Sequence, residues 1–329
     1  MKILVRLPNW LGDMVMAAGL MNSLHEFYPG AEISVIAKKG IHELLSFFPN
    51  IKHQFVFDKT NHKGLIGAWQ FGKEIKKAEK FDLFICLPDS LSAAVMAFAT
   101  GTEKRIGYKK ELRSLFLTDT YTKEKGQHRV KDYITLIEKF SGKKSTSSKV
   151  QLIHNFKKEN YIVVNINSEA SSRRLTLNKA TEIINNLRSS LIEPIILIGA
   201  PKEKGFVDEV YNNLAVKNSI QNKSGKTNLA QLAELMASAS LVLSTDSGPA
   251  HLANALGTQT IILFGAGNEF NTAPYNENRN IIRLGELSCE PCQKNKCVRY
   301  EIPQCLEQLS TKNICTTVVT ELHKIGAYE

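Results

Sequence analysis

Strand-like and helix-like patterns alternate along the whole chain, and this alternation limits the possible folds more than any other feature. Short apolar runs typical of buried strands are separated by longer segments with apolar residues at helical spacing. Such alternation predicts parallel sheets with helices on both faces, which is an α/β fold. The predicted strands are 2–7, 32–38, 53–58, 81–87, 104–108, 161–167, 194–199, 241–245 and 260–264. The predicted helices are 13–27, 41–47, 64–78, 90–99, 130–140, 176–190, 203–215, 228–238, 249–256 and 310–325.

The length of 329 residues exceeds what a single hydrophobic core usually supports, so we expect two domains. A polar segment at 141–149 divides the chain nearly in half and is typical of a linker. We therefore expect domains at 1–150 and 151–329, each with a doubly wound parallel sheet. Such sheets bind ligands at the carboxyl ends of their strands. Two facing domains of this kind would form a cleft with strand-end turns at its mouth.

The positive charge of the chain is concentrated in its first half. Residues 1–150 contain 24 Lys and Arg against 15 Asp and Glu, whereas residues 151–329 contain 18 against 17. A basic domain indicates an anionic partner, which is nucleic acid, an acidic membrane surface or a phosphorylated substrate. A lysine-rich surface that only confers solubility is the alternative. Nucleic acid is the weaker option, because the sequence lacks RNA-binding, zinc-finger and helix-turn-helix patterns.

The composition is that of an ordinary soluble protein, with 43% hydrophobic and 22% charged residues. The longest apolar runs, such as 91–99, are far too short to span a bilayer. The N-terminus enters a predicted strand directly and shows no signal-peptide pattern. These features predict a cytoplasmic protein.

Residues 244–251 have the pattern of a strand that turns sharply into a helix. The free backbone N–H groups and the dipole at such a helix start attract phosphate. Gly248 allows a ligand to approach the backbone closely, and Pro249 suits a first helical turn. We expect Asp246 to stay at the strand end, where it caps the turn or accepts from a hydroxyl or from His251. A well-capped turn without a ligand is the alternative.

A second turn of this kind follows the first predicted strand and contains Asn9, Trp10, Gly12 and Asp13. It lacks the G-x-G-x-x-G spacing of dinucleotide-binding turns, so NAD and FAD are not expected. Asp13 begins the following predicted helix, where a carboxylate is a good N-cap. The functional alternative is a general base that takes a proton from a hydroxyl.

Four cysteines cluster near the C-terminus, at Cys289, Cys292, Cys297 and Cys305. Because disulfides are disfavoured in a reducing cytoplasm, such a cluster raises zinc or iron–sulfur ligation as an option. The second C-x-x-C pair of a zinc ribbon is absent from the sequence. Reduced structural thiols and redox chemistry are the alternatives, and we expect no catalytic role.

Five collinear segments resemble motifs of the lipopolysaccharide heptosyltransferases, particularly of the heptosyltransferase II type, and together they span nearly the whole chain. They are residues 6–13, 87–91, 105–108 with 111–119, His128 with 132–133, and 246–251 with 263–265. The resemblance implies a GT-B fold, in which two Rossmann-like domains face each other across a cleft. It leaves open whether the C-terminal helix packs back on the first domain.

The family that these segments resemble is glycosyltransferase family 9, which moves heptose from ADP-heptose to the inner core of lipopolysaccharide. The resemblance therefore implies an inverting enzyme that needs no catalytic metal and no cofactor. Its first domain would hold the acceptor, and its second domain would hold the nucleotide sugar. A lipid acceptor also implies peripheral contact with the cytoplasmic face of the inner membrane.

The resemblance assigns roles to the residues of both turns. Asp13 would accept a proton from the acceptor hydroxyl, and the acceptor-side loop would comprise Asn9, Trp10 and Gly12. Negative charge develops on the departing diphosphate, so fixed donors must meet it, and the planar fork of arginine suits phosphate oxygens. The predicted donor site comprises Arg173, Arg174, Glu203, Asp246, Ser247, Gly248 and His251.

Two members of this set have structural alternatives. The Arg173-Arg174 pair is otherwise explained as two solvated residues before a helix. Glu203 matches an acidic position that holds the ribose, but an exposed Glu in a first helical turn explains it equally well. The Asp-x-Asp metal anchor of other glycosyltransferases is absent from the sequence, which is consistent with cationic side chains in place of a metal.

The chain departs from the family near the donor. It has Arg173-Arg174-Leu175-Thr176 where relatives usually have Lys-Arg-Trp-Pro, a change that keeps the phosphate role. The loop 265–270 lacks the usual proline, and 165–167 lacks the usual Pro-Gly segment. The identities of the sugar and the base therefore stay open.

Two other classes of function are compatible with the sequence. One is another GT-B enzyme that uses a different nucleotide sugar, including a sugar-nucleotide epimerase. The other is a non-catalytic relative that binds anionic lipid or nucleic acid. The presence of Asp13 and of the whole 246–251 segment argues against this last option.

Overall fold

A computed structural model describes residues 1–326 and divides the chain into two compact units, one formed by residues 1–153 and the other beginning at His154. Each unit contains a parallel six-stranded sheet with helices packed on it. The predicted α/β class and the two Rossmann-like sheets are confirmed.

The strands of the first unit are β1 (Lys2–Arg6), β2 (Glu32–Lys38), β3 (Ile51–Phe57), β4 (Leu83–Cys86), β5 (Lys104–Tyr108) and β6 (Asp119–Tyr121). Its helices are α1 (Leu11–Met16), α2 (Ala18–Phe27), α3 (Gly64–Ala78), α4 (Leu91–Ala99) and α5 (Arg129–Ser141), with 3-10 helices at Ile41–Phe47 and Glu111–Phe116. The strand order is β3-β2-β1-β4-β5-β6, which is the order of a Rossmann fold.

The strands of the second unit are β7 (Glu159–Asn165), β8 (Ile195–Leu197), β9 (Ile220–Asn222), β10 (Ala239–Thr245), β11 (Gln259–Phe264) and β12 (Arg279–Arg283). Its helices are α6 (Leu177–Ser190), α7 (Lys204–Asn212), α8 (Leu229–Ser238), α9 (Gly248–Ala255), α10 (Glu269–Thr272), α11 (Gln304–Glu307) and α12 (Thr311–Gly326), with 3-10 helices at Ser171–Arg173 and Pro201–Glu203. The order β12-β11-β10-β7-β8-β9 repeats the topology of the first unit. Helix α12 packs on α6 and β10 of its own unit.

The central strands are apolar on both faces because helices cover both sides of each sheet. In β1, the side chains of Ile3, Leu4 and Val5 are fully buried, and Val5 pairs with Val35 on one side and Ile85 on the other. This burial explains why the central strands stand out as apolar runs in the sequence.

The strand order reverses between β1 and β4 in the first unit and between β7 and β10 in the second. Open α/β sheets bind ligands beside the carboxyl ends of their strands at such a switch point. Two turns leave the sheets there, the β1 turn (residues 8–13) and the β10 turn (residues 246–251). These are the two turns that the sequence marks as candidate sites.

Several element predictions need correction. The predicted helix 13–27 consists of two helices that meet at Ala17, and the predicted helix 41–47 is a 3-10 helix. The strands β6, β9 and β12 were not predicted, because all three are edge strands and are too polar or too short to form an apolar run. Elsewhere the predicted elements differ from those observed mainly at their ends.

The predicted linker 141–149 is not a free tether. The backbone amides of Ser145 and Thr146 donate to the carboxylates of Glu138 and Glu26, which lie on α5 and α2. One exposed carboxylate, Glu26, and one partly buried carboxylate, Glu138, thus hold the segment against the first unit. None of the helices within residues 1–326 combines the length and the hydrophobicity that a membrane-spanning segment needs.

Candidate active site

The β1 turn presents an exposed indole and a half-buried carboxylate. Trp10 occupies the N-cap position of α1 and is 60% exposed, whereas Asp13 lies in the first turn of that helix. The helix therefore begins two residues before the predicted start at residue 13. Asn9, Trp10 and Gly12 lie together with Asp13 in one short segment, as the sequence suggested.

A basic side chain from another helix faces the Asp13 carboxylate. Arg129, the first residue of α5, places Nη1 3.5 Å from Oδ1 of Asp13. Burial lowers the pKa of Arg129, but its interactions with Tyr133 and Asp13 outweigh burial, and the net pKa shift is upward. Burial and the charge of Asp13 raise the pKa of Tyr133 well above its ordinary value. Asp13 is therefore a carboxylate beside a permanent positive charge.

The position of Asn9 is set by a buried arginine on β1. Arg6 is 2% exposed, and its Nη2 donates to Oδ1 of Asn9 while its Nη1 donates to the backbone oxygens of Leu7 and Ile36. Burial lowers the pKa of Arg6 to about 10. These hydrogen bonds from the Arg6 guanidinium fix the β1 turn to the sheet, and Asn9 and Trp10 lie at the surface of the unit.

Sequence reasoning missed a second acidic group, Asp89, which follows β4 on the other side of the switch point. Its carboxylate accepts from Lys123 and, at 3.3 Å, from Nη1 of Arg113. Arg113 is 1% exposed and also donates to the oxygen of Tyr108 and to Sγ of Cys86. The available signal was the position of Asp89 three residues after a buried strand, within the 87–91 segment that resembles a family motif.

In the β10 turn, Asp246 is buried against an arginine. Its Oδ2 lies 3.3 Å from Nη1 of Arg173, and the side chain is 2% exposed. Burial raises the pKa of Asp246 to about 6, even though the charges of Arg173 and Arg283 act in the opposite direction. Two predicted donor-site residues that are far apart in sequence thus meet in the second unit.

The start of α9 is built from small polar groups. Ser247 is the N-cap residue, Gly248 and Pro249 form the first turn, and His251 is buried in the helix. Oγ of Ser247 accepts from Nδ2 of Asn165 at 2.9 Å. The amide of Asn165 also reaches Ser244 and the backbone oxygen of Asn167, so one side chain ties the ends of β7 and β10 together.

The two adjacent arginines are held in different directions. Arg173 faces Asp246, whereas Arg174 donates to the oxygen of Ser168 at 3.1 and 3.3 Å and lies over the ring of Phe206. Both side chains are partly buried. The alternative of two freely solvated residues is therefore wrong for this pair.

Glu203 has a defined structural role. One of its carboxylate oxygens accepts from the backbone N–H of Ala200 at 2.8 Å and so caps the 3-10 helix Pro201–Glu203. This contact is the structural explanation that the sequence offered beside ribose binding. The ribose role of Glu203 stays a prediction.

The four clustered cysteines line one cavity of about 20 Å³, together with Ser172, Ala266 and Glu290. All are free thiols, and burial raises the pKa of Cys305 to about 11. Across residues 1–326, no group of three or more His, Cys, Asp or Glu side chains is arranged to hold a metal ion.

Residues 289–305, which we call the cysteine segment, support the loops around the β10 turn. The N–H of Ser172 donates to the oxygen of Asn295, and the N–H of Gln293 donates to the oxygen of Ala266. A Cβ on Gly265 would lie 2.8 Å from Sγ of Cys305, so the Cys305 thiol packs directly on the backbone of Gly265. The segment therefore braces both the Arg173 loop and the loop that follows β11.

Two units with Rossmann-like parallel sheets are the architecture of the GT-B fold. The chain belongs to glycosyltransferase family 9 (heptosyltransferase), whose model matches residues 68–302. It is a glycosyltransferase, as the resemblance of its motifs implied.

Individual relatives agree with this family. The chain is 25% identical to Lipooligosaccharide heptosyltransferase 2 of Campylobacter jejuni, with 99% of both chains covered. It is 27% identical to Lipopolysaccharide core heptosyltransferase OpsX of Haemophilus influenzae, with 97% of this chain and 95% of the relative covered. The solved structure of Escherichia coli ADP-heptose LPS heptosyltransferase II matches the fold with a TM-score of 0.83 at 22% identity, covering 98% and 99% of the two chains.

Proposed function

We propose that this enzyme transfers heptose from ADP-heptose to a sugar of the inner core of lipopolysaccharide, with inversion at the anomeric carbon and without a metal. The observation that carries the proposal is the placement of two complementary groups at the switch points. One sheet presents the Asp13 carboxylate beside Arg129, and the other presents the α9 N-terminus beside Arg173. The names of the relatives support the choice of heptose, ADP and lipopolysaccharide.

The proposed reaction is a single in-line displacement. Asp13 accepts the proton of the acceptor hydroxyl as the hydroxyl oxygen forms its bond to the anomeric carbon. The bond between that carbon and the diphosphate oxygen breaks, and its electron pair leaves with ADP. The ion pair with Arg129 would orient the Asp13 carboxylate for this proton transfer.

The departing diphosphate needs donors that are fixed before the reaction begins. The backbone N–H groups at Ser247 and Gly248 supply the positive end of the α9 dipole. The guanidinium groups of Arg173 and Arg174 add permanent charge, and their existing contacts limit the cost of ordering them. Cationic side chains would thus do the work of a metal.

The division of labour between the units is part of the proposal. The first unit would bind the acceptor, because its excess of basic residues suits a phosphorylated lipid. The second would bind the nucleotide sugar at the β10 turn. An acceptor of this kind implies peripheral contact with a membrane at its cytoplasmic face.

ADP release tests this proposal. Wild-type protein is incubated with ADP-heptose, with and without heptose-primed deep-rough lipopolysaccharide, beside Asp13→Asn and the exposed control Glu124→Gln. We expect release that depends on the acceptor, is lost about 10²- to 10⁴-fold in Asp13→Asn and is kept in the control. Release without acceptor, or full activity of folded Asp13→Asn, would contradict the proposal. An epimerase would instead change the donor without consuming an acceptor.

A further inference from the structure

The first unit exposes a group of large apolar side chains that the proposed reaction does not use. We call it the α3–α4 face, and it comprises Leu65, Ile66, Trp69, Phe98, Leu112 and Leu115. Their exposed fractions range from 39% for Trp69 to 76% for Leu115. Isolated exposed apolar residues are ordinary, but a contiguous set marks a surface that binds something.

Ring contacts show that these side chains form one surface. The rings of Trp69 and Phe98 lie 5.8 Å apart, and those of Phe98 and Phe116 also lie 5.8 Å apart. Phe116 ends the 3-10 helix that carries Leu112 and Leu115. The three rings therefore connect α3, α4 and this 3-10 helix, which pack on one another and carry the other members of the face.

Helix α3 carries more apolar side chains than its packing against the core requires. The inner side of α3 already packs through Ala68, Phe71 and Ile75, which are buried. Leu65, Ile66 and Trp69 lie on its outer side, which is polar in most helices of soluble proteins. At Gly72 a Cβ would lie 2.5 Å from the oxygen of Met96, so this glycine lets α3 and α4 approach closely.

Basic side chains surround the apolar ones. Nζ of Lys73 lies 5.9 Å from the centre of the Trp69 ring, and the guanidinium of Arg105 lies 5.4 Å from that of Phe98. Further exposed lysines on the same elements and next to them are Lys63, Lys76, Lys77, Lys109 and Lys110. The exposed acidic groups there are Glu74, which pairs with His62, Glu103 and Glu111, and the basic groups outnumber them.

We propose that the α3–α4 face docks the enzyme on an anionic lipid bilayer. The aromatic and aliphatic side chains would enter the boundary between headgroups and acyl chains, while the lysines meet lipid phosphates. This inference rests on the proposed function, because lipopolysaccharide is anchored in a bilayer. Charge complementarity selects this occupant, since a second copy of the same face would bring like charges together.

The composition of the face also favours lipid over nucleic acid. Single-stranded nucleic acids are bound by stacking on aromatic rings within a basic groove. Ile66, Leu112 and Leu115 offer no ring for stacking, but they gain free energy on leaving water. A bilayer uses every exposed side chain of the face, whereas RNA would use only Trp69 and Phe98.

Vesicle sedimentation of the full chain tests the docking surface. The probes are vesicles of phosphatidylethanolamine with phosphatidylglycerol and vesicles of phosphatidylcholine alone. The variant is Leu112→Ser with Leu115→Ser, and the matched control is Ile192→Ser with Val216→Ser, two exposed apolar residues of the second unit. We expect the variant to bind the anionic vesicles at least about tenfold more weakly, while the control binds like wild type.

Failure of docking can be distinguished from failure of the reaction. Transfer to a delipidated, soluble acceptor should be unchanged in the Leu112→Ser, Leu115→Ser variant, because both side chains are exposed and neither belongs to the proposed acceptor or donor residues. Equal binding of variant and wild type to anionic vesicles would overturn the docking surface. So would equal affinity for phosphatidylcholine, retention on single-stranded RNA without vesicle binding, or concentration-dependent dimers that the variant abolishes.

Tryptophan fluorescence locates the contact independently of affinity. The chain contains two tryptophans, so Trp10→Phe leaves Trp69 as the single emitter. We expect brominated anionic lipids to quench its emission and unlabelled ones to shift it to shorter wavelength. Emission from Trp69 that is unchanged on vesicle-bound protein would place the contact elsewhere and contradict the proposal.

Discussion

The buried carboxylate of Asp246 affects both the stability of the protein and the candidate donor site. The carboxylate is almost fully buried, and the partly exposed guanidinium of Arg173 lies 3.3 Å from its Oδ2. Burial of an ionised carboxylate is costly even beside one positive charge, which is why the pKa of Asp246 is raised to about 6. The protein therefore keeps a destabilising negative charge under the β10 turn at neutral pH. The hydroxyl groups of a bound nucleotide sugar would be suitable hydrogen-bond donors for this carboxylate.

The raised pKa of Asp246 predicts a specific pH dependence of stability. The native state binds more protons than the unfolded state between about pH 4 and pH 6, so stability falls as the pH rises through this window. Asp246→Asn removes the effect. We expect the melting temperature of the variant, relative to that of wild type, to increase from pH 4 to pH 7 and to level off above pH 7. The corresponding change in relative unfolding free energy is up to about 3 kcal/mol.

Thermal melts of both proteins across this pH range provide the measurement. Asp208→Asn is the control, because an ion pair with Lys204 lowers the pKa of the exposed Asp208. Its stability relative to wild type should change only slightly and in the opposite direction. A difference between Asp246→Asn and wild type that does not vary with pH would show that Asp246 is not a buried, destabilising charge.

At the level of elements, the loop after β11 is shaped by close contact with the β10 turn. A Cβ on Gly267 would lie 2.1 Å from Oδ2 of Asp246. Arg283 of β12 donates to the oxygens of Gly265 and Gly267, so the loop is held from its other side as well. The three neighbouring strands β10, β11 and β12 thus contribute jointly to one wall of the candidate donor site.

This packing predicts that Gly267→Ala is damaging. The added methyl group must displace either the loop or the Asp246 side chain, and overpacking of this kind costs about 1–3 kcal/mol. Gly205→Ala in α7 is the matched control, since a Cβ there meets no atom within 4 Å. We expect the free energy of unfolding of Gly205→Ala to lie within about 1 kcal/mol of the wild-type value.

Chemical denaturation and nucleotide binding separate the two glycine variants. Gly267→Ala should unfold at lower denaturant concentration and bind ADP more weakly, whereas Gly205→Ala should do neither. Wild-type ADP affinity in a folded Gly267→Ala protein would mean that the loop after β11 is not part of the donor site.

For the whole molecule, the sequence predicted the repeated α/β architecture because buried parallel strands are apolar on both faces. The strands β6, β9 and β12 escaped prediction because edge positions place weaker demands on hydrophobicity. Asp13 and Asp246 were found because both lie in strand-to-helix turns, Asp246 directly after β10 and Asp13 in the first turn of α1. The partners of both carboxylates depend on tertiary packing, so the pairing of Asp13 with Arg129 and of Asp246 with Arg173 could not be read from sequence spacing.

The central claim is metal-independent transfer of heptose to a lipopolysaccharide acceptor, and the mass of that acceptor tests it most directly. A heptose-primed, deep-rough acceptor is incubated with ADP-heptose and wild-type enzyme in excess EDTA, and its products are analysed by mass spectrometry. The account predicts that the acceptor gains one heptosyl residue and that Asp13→Asn abolishes this gain. An acceptor of unchanged mass beside folded enzyme, or a gain that requires added divalent metal, would contradict it.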